Sequence, residues 1–286
     1  MKILLTGANG QLGLELRKQM SLLGQAYEII ATDYDTLDIT NYEQVKSILQ
    51  VQRPDVIINC AGYTAVDLCE EQVEKAYIVN ALGPKHLGQV CNEIGAKLIH
   101  ISTDYVFSGE SSRALREDDP TSPINIYGKS KLAGDEYVKT FCKKHFIIRT
   151  AWLYGEGNNF VKTMLTLAQV KKEINVVGDQ IGTPTSTKDL SRVIIKLMHT
   201  EYYGTYHATC EGMCSWYDFA VKIFELANIN IKVNKVTSED YISSAKRPKY
   251  SVLDNFMLKL YGLNTVRTWE DALIDYLEEE KKSGKI

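Results

Sequence analysis

The stretch Lys2-Ile3-Leu4-Leu5-Thr6-Gly7-Ala8-Asn9-Gly10-Gln11-Leu12-Gly13 decides the fold. Lys2 to Leu5 read as a short strand, and Leu12, Leu16 and Met20 then recur at helical spacing. Between them lie three glycines spaced G-x-x-G-x-x-G. Glycine permits the tight turn and lets a diphosphate approach the backbone with no Cβ in the way. The helix start then offers unpaired N–H groups and the positive end of a dipole. A glycine-rich turn alone is also a plain connector, but its place between first strand and first helix is the context nucleotide binding requires. Gly7, Asn9, Gly10, Gln11, Leu12 and Gly13 are therefore candidate cofactor contacts.

Outward from this turn the first half alternates strands with helices. Residues 27–31, 55–59, 97–101 and 146–149 read as further strands, and 41–50, 70–94 and 128–140 as helices. Strands that are apolar throughout, separated by helices, imply a doubly wound parallel α/β sheet covered on both faces. After Thr150 the rhythm loosens. Helices are expected at 159–171, from a Thr187 cap to about Met198, around Phe219–Ala227 and over 268–282, with short strands at 174–177 and 206–208. The expected organisation is a cofactor-binding domain over 1–150, its sheet completed by parts of 170–200. A smaller lobe, mainly substrate-binding and interleaved with the first, occupies 151–286.

Composition narrows the function. The chain has 286 residues, 44% hydrophobic and 24% charged, which excludes disordered and collagen-like classes. Its 33 Lys and Arg against 36 Asp and Glu leave a net charge of −3, with no basic excess to recommend nucleic acid or an anionic membrane as a partner. No apolar run approaches the ~18 residues of a membrane span. The first ten residues are too short an apolar run for a signal-peptide core, so a cytoplasmic protein is expected. Six scattered cysteines and five histidines fall in no metal-ligand spacing, and reduced thiols are the plain reading. His100, inside a strand, reads as core.

Asp33 ends the second strand, 20 residues after Gly13. A carboxylate there accepts hydrogen bonds from an adenosine ribose and repels a 2′-phosphate, which favours NADH over NADPH. Asp38 and Ile39 would flank the adenine. Ala61, Gly62 and Tyr63, after the third strand, lie where the cofactor would pass. Tyr127-Gly128-Lys129-Ser130-Lys131 is a Y-x-x-x-K at a helix start, which puts Tyr127 and Lys131 on one face. A nearby ammonium lowers a phenol's pKa and fits it for proton exchange. Such a pattern arises easily by chance. Ser102-Thr103 strengthens it, because ligands of open parallel sheets bind outside the carboxyl ends of the strands.

Together, TGANGQLG, NCAGYTAVD, STDYVFSG and YGKSK resemble the extended short-chain dehydrogenase/reductase superfamily. Within it, EDDPTSPINIYGKSKLAGD, IIRTAWLYGEGNNFVKTM, VVGDQIGTPT and KRPKYSVLD are most similar to the dTDP-4-dehydrorhamnose reductase family. The likeness runs from Met1 to about Tyr276. It implies a Rossmann-type sheet and NAD(P)H-dependent reduction of a 4-keto group on a nucleotide-linked deoxysugar, for a cell-surface polysaccharide. By the same likeness Tyr127 donates the proton, Lys131 lowers the Tyr127 pKa and holds the nicotinamide ribose, and Thr103 bonds the substrate oxygen. Ser102 joins the cofactor contacts. Asp104, Tyr105 and Trp152 would line the sugar pocket, Trp152 reading equally as core. Asn159, Phe160, Gln180, Arg247 and Ser251 are candidates for the nucleotide end, and Arg247 reads equally as a surface-loop charge. Some family members are dimers bridged by Mg²⁺. No acidic positions here are matched to those ligands, so Mg²⁺ is left unassigned and the assembly is monomer or homodimer. Two alternatives use the same residues: a nucleotide-sugar 4-epimerase and a non-catalytic cofactor-binding regulatory subunit.

The Asp33 reading carries a test. Asp33→Ala narrows the preference for NADH over NADPH in steady-state kinetics, and a wild type that prefers NADPH overturns it.

Overall fold

The computed structural model of the chain describes residues 1–240 and 243–284. The first part runs β1 (Lys2–Thr6), α1 (Gln11–Leu22), β2 (Glu28–Ala31), α2 (Tyr42–Gln52), β3 (Val56–Asn59), α3 (Val66–Glu71), α4 (Val73–Tyr77), α5 (Gly83–Ile94), β4 (Lys97–Thr103), α6 (Ile126–Phe141) and β5 (His145–Thr150). The second runs β6 (Leu153–Tyr154), α7 (Phe160–Val170), β7 (Glu173–Val177), β8 (Ile181–Gly182), β9 (Thr185–Ser186), α8 (Thr187–Met198), β10 (Gly204–His207), β11 (Cys214–Ser215), α9 (Trp216–Ala227), β12 (Lys232–Val236), α10 (Phe256–Leu260) and α11 (Trp269–Lys282).

Six strands form one parallel sheet in the order β2-β1-β3-β4-β5-β10. Alternation along the strands sorts its side chains to two faces. Ile3, Leu5, Val56, Ile58, Ile99, Phe146 and Ile148 pack against α1 and α8. Leu4, Ile57, Leu98 and Ile147 pack against α2, α5 and Val138 of α6. This is the Rossmann-like, doubly wound arrangement the apolar strands imply. The chain leaves β1 toward β2 and returns to β3 on the other side. That reversal opens a crevice at the carboxyl ends of β1 and β3.

Residues 170–200 were expected to complete the sheet, and they do not. β7 pairs with β12 in a separate two-stranded sheet, and α8 covers one face of the main sheet. The completing strand is β10, paired in parallel with β5. Period alone cannot say which sheet a short apolar strand joins. α8 also begins one residue earlier than expected: Ser186, not Thr187, is its cap, accepting from Lys188 N. A second apolar core lies among Tyr154, α7, β7, α9 and α11. All six cysteines are free thiols. Among the described residues, no helix is long and apolar enough to cross a membrane.

Helix α6 positions the site. Asn125 caps it, its side chain accepting from Gly128 N at 2.8 Å. Its buried face carries Ser130, Lys131, Gly134, Asp135 and Val138. At Gly134 the helix rests directly on a π-helical turn, Ile78–Leu82: a Cβ there would lie 2.2 Å from Asn80 O. Glycine is the residue that permits this approach. Gly134→Ala is therefore expected to cost about 1–3 kcal/mol of stability by overpacking. Denaturant unfolding measures it, and an unchanged midpoint would mean that the contact has slack.

Candidate active site

Two clefts meet over the carboxyl ends of the strands. The larger, about 460 Å³, is lined by Gly7, Gly10–Gly13, Cys60–Gly62, Thr64, Val66, Ile101–Tyr105, Tyr127, Lys131, Thr150–Leu153 and Trp216. The second, about 300 Å³, is lined by Gly7, Gly10, Asp33, Tyr34, Leu37–Thr40, Cys60–Gly62 and Val79. The shared residues make one trough from Asp33 and Asp38, past the glycine turn, to Tyr127 and Lys131.

The glycine turn is built for a close backbone neighbour. Gly7 has φ +62°, and a Cβ there would lie 2.7 Å from Ala61 N. A Cβ at Gly13 would lie 2.4 Å from Gly7 O. Gly10 precedes α1 with no side-chain cap, so the helix start faces the trough uncovered. Such a cradle suits the diphosphate of a dinucleotide. Asp33 lines the adenosine end, where one carboxylate oxygen accepts from Asn9 N at 3.0 Å and the other from Tyr34 N at 2.8 Å. Asn9 is thus tied to Asp33 through its backbone. Tyr63 lines neither cleft, and Asn80 holds its backbone, accepting from Tyr63 N at 2.8 Å and donating to Tyr63 O at 3.0 Å. The Tyr63 ring lies under Lys75.

At the other end α6 faces β4. Lys131, 4% exposed, donates to Ile101 O at 2.5 Å. Burial pulls its pKa down to about 8, against the opposing pull of Asp135. Tyr127 meets Tyr105 edge-on, ring centroids 5.6 Å apart. Burial pushes its phenol above the usual value of 10, and the nearby Thr103 hydroxyl works the other way. The sequence reading had Lys131 lowering the Tyr127 pKa; in the protein alone burial outweighs every such influence, so the phenol holds its proton at neutral pH. Thr103 donates to Asp104 Oδ1 at 3.0 Å. Asp104 is raised to about 6 by burial, with the nearby Ser251 and Thr103 hydroxyls opposing. Asp104 Oδ2, Ser102 Oγ and Thr150 Oγ1 are buried along this cleft without a hydrogen-bond partner among the described residues. Orphaned polar atoms in one wall are the mark of a surface that meets a ligand.

Trp152 walls the cleft and also packs. Its ring stacks on Trp216 with centroids 3.5 Å apart and planes 8° from parallel, and its backbone holds φ +46°. The remaining candidates lie outside the lining of the clefts. Asn159 caps α7, accepting from Lys162 N and donating to Gly155 O and Gly157 O. Phe160 packs on Trp216 and Phe219. Gln180 donates to Ser238 at 3.0 Å. Arg247 pairs with Asp67 at 2.7 Å. Ser251 is buried beside Asp104. The sequence reading missed Trp216, Asn80 and Thr150. The S-x-x-D capping box of Ser215 and Asp218 marks the helix start that carries Trp216, and is legible in the sequence. Nothing local marks Asn80, whose amide also donates to Ser130 at 3.1 Å and so joins the Tyr63 loop to α6. Among the described residues, no group of three or more His, Cys, Asp or Glu could hold a metal ion, and nothing supports the Mg²⁺ left open above.

Comparison with known proteins bears on this site. The RmlD substrate binding domain family matches residues 1–282. The chain is 44% identical over 283 residues to the spore coat polysaccharide biosynthesis protein SpsK of Bacillus subtilis, covering 99% of each. A crystal structure of a dTDP-4-dehydrorhamnose reductase from Clostridium acetobutylicum superposes with a TM-score of 0.96 at 52% identity, over 98% of this chain and 100% of that one. A dTDP-4-dehydrorhamnose reductase from Bacillus anthracis, in complex with NADP, superposes with a TM-score of 0.95 at 46% identity, over 97% and 99%.

Asp104 gives this site a measurable signature. Its folded pKa is raised, so the stability it contributes is full below its unfolded value near 3.8 and is lost as pH rises through about 6. Asp104→Asn should therefore melt higher than wild type at pH 7.5, by roughly 1–3 kcal/mol, and the gap should close toward pH 4. Equal melting at both pH values would contradict the burial argument.

Proposed function

The chain belongs to the RmlD substrate binding domain family, and we propose that it reduces the 4-keto group of a dTDP-linked 6-deoxysugar, dTDP-4-dehydro-L-rhamnose to dTDP-L-rhamnose. The observation that carries this reading is convergence: Thr103, Tyr127 and Lys131 meet the glycine turn in one trough. A nicotinamide cofactor, when bound, supplies the hydride. The cradle at Gly7 to Gly13 would hold its diphosphate, and Lys131 its nicotinamide ribose.

The rest falls to side chains of this chain. Reduction of a ketone builds negative charge on oxygen, and two hydroxyls aimed at it stabilise that charge. Tyr127 and Thr103 are those hydroxyls. Tyr127 gives up its proton to the developing alkoxide. A phenol kept protonated by burial suits a donor, and the Lys131 ammonium stabilises the phenolate left behind. Trp152 and Trp216 form an apolar wall suited to a sugar face. Asp104 presents hydrogen-bonding groups to its hydroxyls, and Ser102 presents its own hydroxyl to the cofactor.

The second lobe supplies this substrate wall through Trp152 and Trp216, which supports its reading as a substrate-binding lobe. Asp33 at the adenosine end favours NADH. The NADP complex of the B. anthracis relative makes NADPH the comparison to run beside it. The product, an activated deoxysugar, suits the making of a polysaccharide in the cytoplasm. The chain's own charge gives no reason to expect nucleic acid at the site.

The test is oxidation of NADH and NADPH by the purified protein with dTDP-4-dehydro-L-rhamnose. Tyr127→Phe should cost about 10²–10⁴ in kcat while cofactor affinity stays nearly unchanged. Activity retained in the variant removes Tyr127 from the proposed role. Tight cofactor binding without turnover in the wild type removes this substrate.

A further inference from the structure

Asp135 takes no part in the chemistry above, yet it lies directly behind it. Tyr127, Lys131 and Asp135 are spaced four apart on α6 and form one row along its buried face. The Asp135 side chain is fully buried. One carboxylate oxygen sits 3.4 Å from Arg149 Nε and the other 3.7 Å from His100 Nε2. His100 in turn meets Asn59, and Asn59 accepts from Thr6 at the end of β1. A polar chain thus runs under the sheet's carboxyl edge from the strand before the glycine turn to the helix that carries Lys131.

Charge explains why such a chain is worth its desolvation. Two cations, Lys131 and Arg149, are buried here, and a buried cation needs a nearby anion. The groups facing Lys131 are Asp135 and Tyr127 on α6, Cys60 past β3, and His100 on β4. Burial keeps the phenol and the thiol protonated and His100 neutral. The negative charge available to Lys131 is therefore that of Asp135: burial raises the pKa of this carboxyl, and the nearby Arg149 on β5 and Lys131 itself oppose the rise.

We propose that Asp135 is a positioning residue for Lys131, holding its buried ammonium charged beneath the cofactor path, with Arg149 competing for the same carboxylate. The proposal rests on the reading of Lys131 as a cofactor-binding group. It predicts opposite effects for the two partners. Without the carboxylate Lys131 loses its charge at lower pH; without Arg149 the carboxylate serves Lys131 alone, and the charge survives to higher pH.

The experiment is NADH binding, followed by cofactor fluorescence between about pH 6.5 and 9.5, in the wild type, Asp135→Asn and Arg149→Met. The wild type should weaken as pH rises through about 8. Asp135→Asn should move that limb down by about one unit, close to a tenfold loss of affinity on the alkaline side. Arg149→Met should move it up. If Asp135→Asn alone does not fold, the double variant Asp135→Asn/Arg149→Met removes the stranded guanidinium and should still show the downward shift. A limb that stays in place, or that moves the same way in both single variants, overturns the proposal. Turnover with the 4-keto sugar is measured on the same wild-type preparation. Binding with the expected shifts but no turnover overturns the substrate reading and leaves Asp135 standing. Turnover with no shift does the reverse.

Discussion

The Lys131 ammonium, 2.5 Å from the Ile101 carbonyl, ties α6 to the edge of the sheet. The other parts of the site depend on that contact. It fixes α6 along its length against β4, so Tyr127, one turn earlier, faces Thr103 at the strand's end. The clearance at Gly134 lets α6 settle on the backbone of the Ile78–Leu82 turn, and Asn80 of that turn holds the Tyr63 loop. The trough and the Tyr127 side chain are thereby held by one set of packed elements. Rigid support of this kind keeps reacting groups in register without reorganisation at the moment of reaction.

Burial sets the protonation states. The same desolvation that keeps the Tyr127 phenol protonated pulls Lys131 down to about 8 and lifts Asp104 to about 6. The shifts of Lys131 and Asp104 are costs to the folded chain at neutral pH, since each marks a charged form held in a place that disfavours it, whereas the Tyr127 phenol is neutral there whether folded or unfolded. A protein carries such costs where activity demands them. Here they fall within one wall, beside hydroxyls that lack a partner of their own. That concentration marks the trough as the working surface more strongly than its shape does.

The second lobe contributes differently. Its core is aromatic, with Trp216, Phe160, Phe219 and Tyr154 in contact, and it ends at the cleft in the stacked pair Trp152–Trp216. One ring comes from the end of β5 and the other from the start of α9. The pair therefore lies side by side in the wall of the cleft. Arg247 and Asn159 are bound to protein partners in this arrangement, so a nucleotide at that end would have to compete with Asp67 and with the α7 cap.

The sequence by itself determined the elements whose signals are local. The glycine turn, the apolar strands, the Y-x-x-x-K helix and the hydroxyls closing β4 all follow from period, spacing and backbone chemistry. Those features place the trough and the end of it that holds Tyr127 and Lys131. Tertiary structure alone decided what depends on distant residues. β10 rather than 170–200 completes the sheet, because strand partners are chosen by where the chain returns. Asn80 acts at the site because helix packing brings it to Tyr63. Tyr127 keeps its proton because burial, which no spacing reports, outweighs the opposing Thr103 hydroxyl. Asp135 reaches Arg149 and His100 because two strands and a helix converge there, and only the folded chain sets one carboxylate among Lys131, Arg149 and His100.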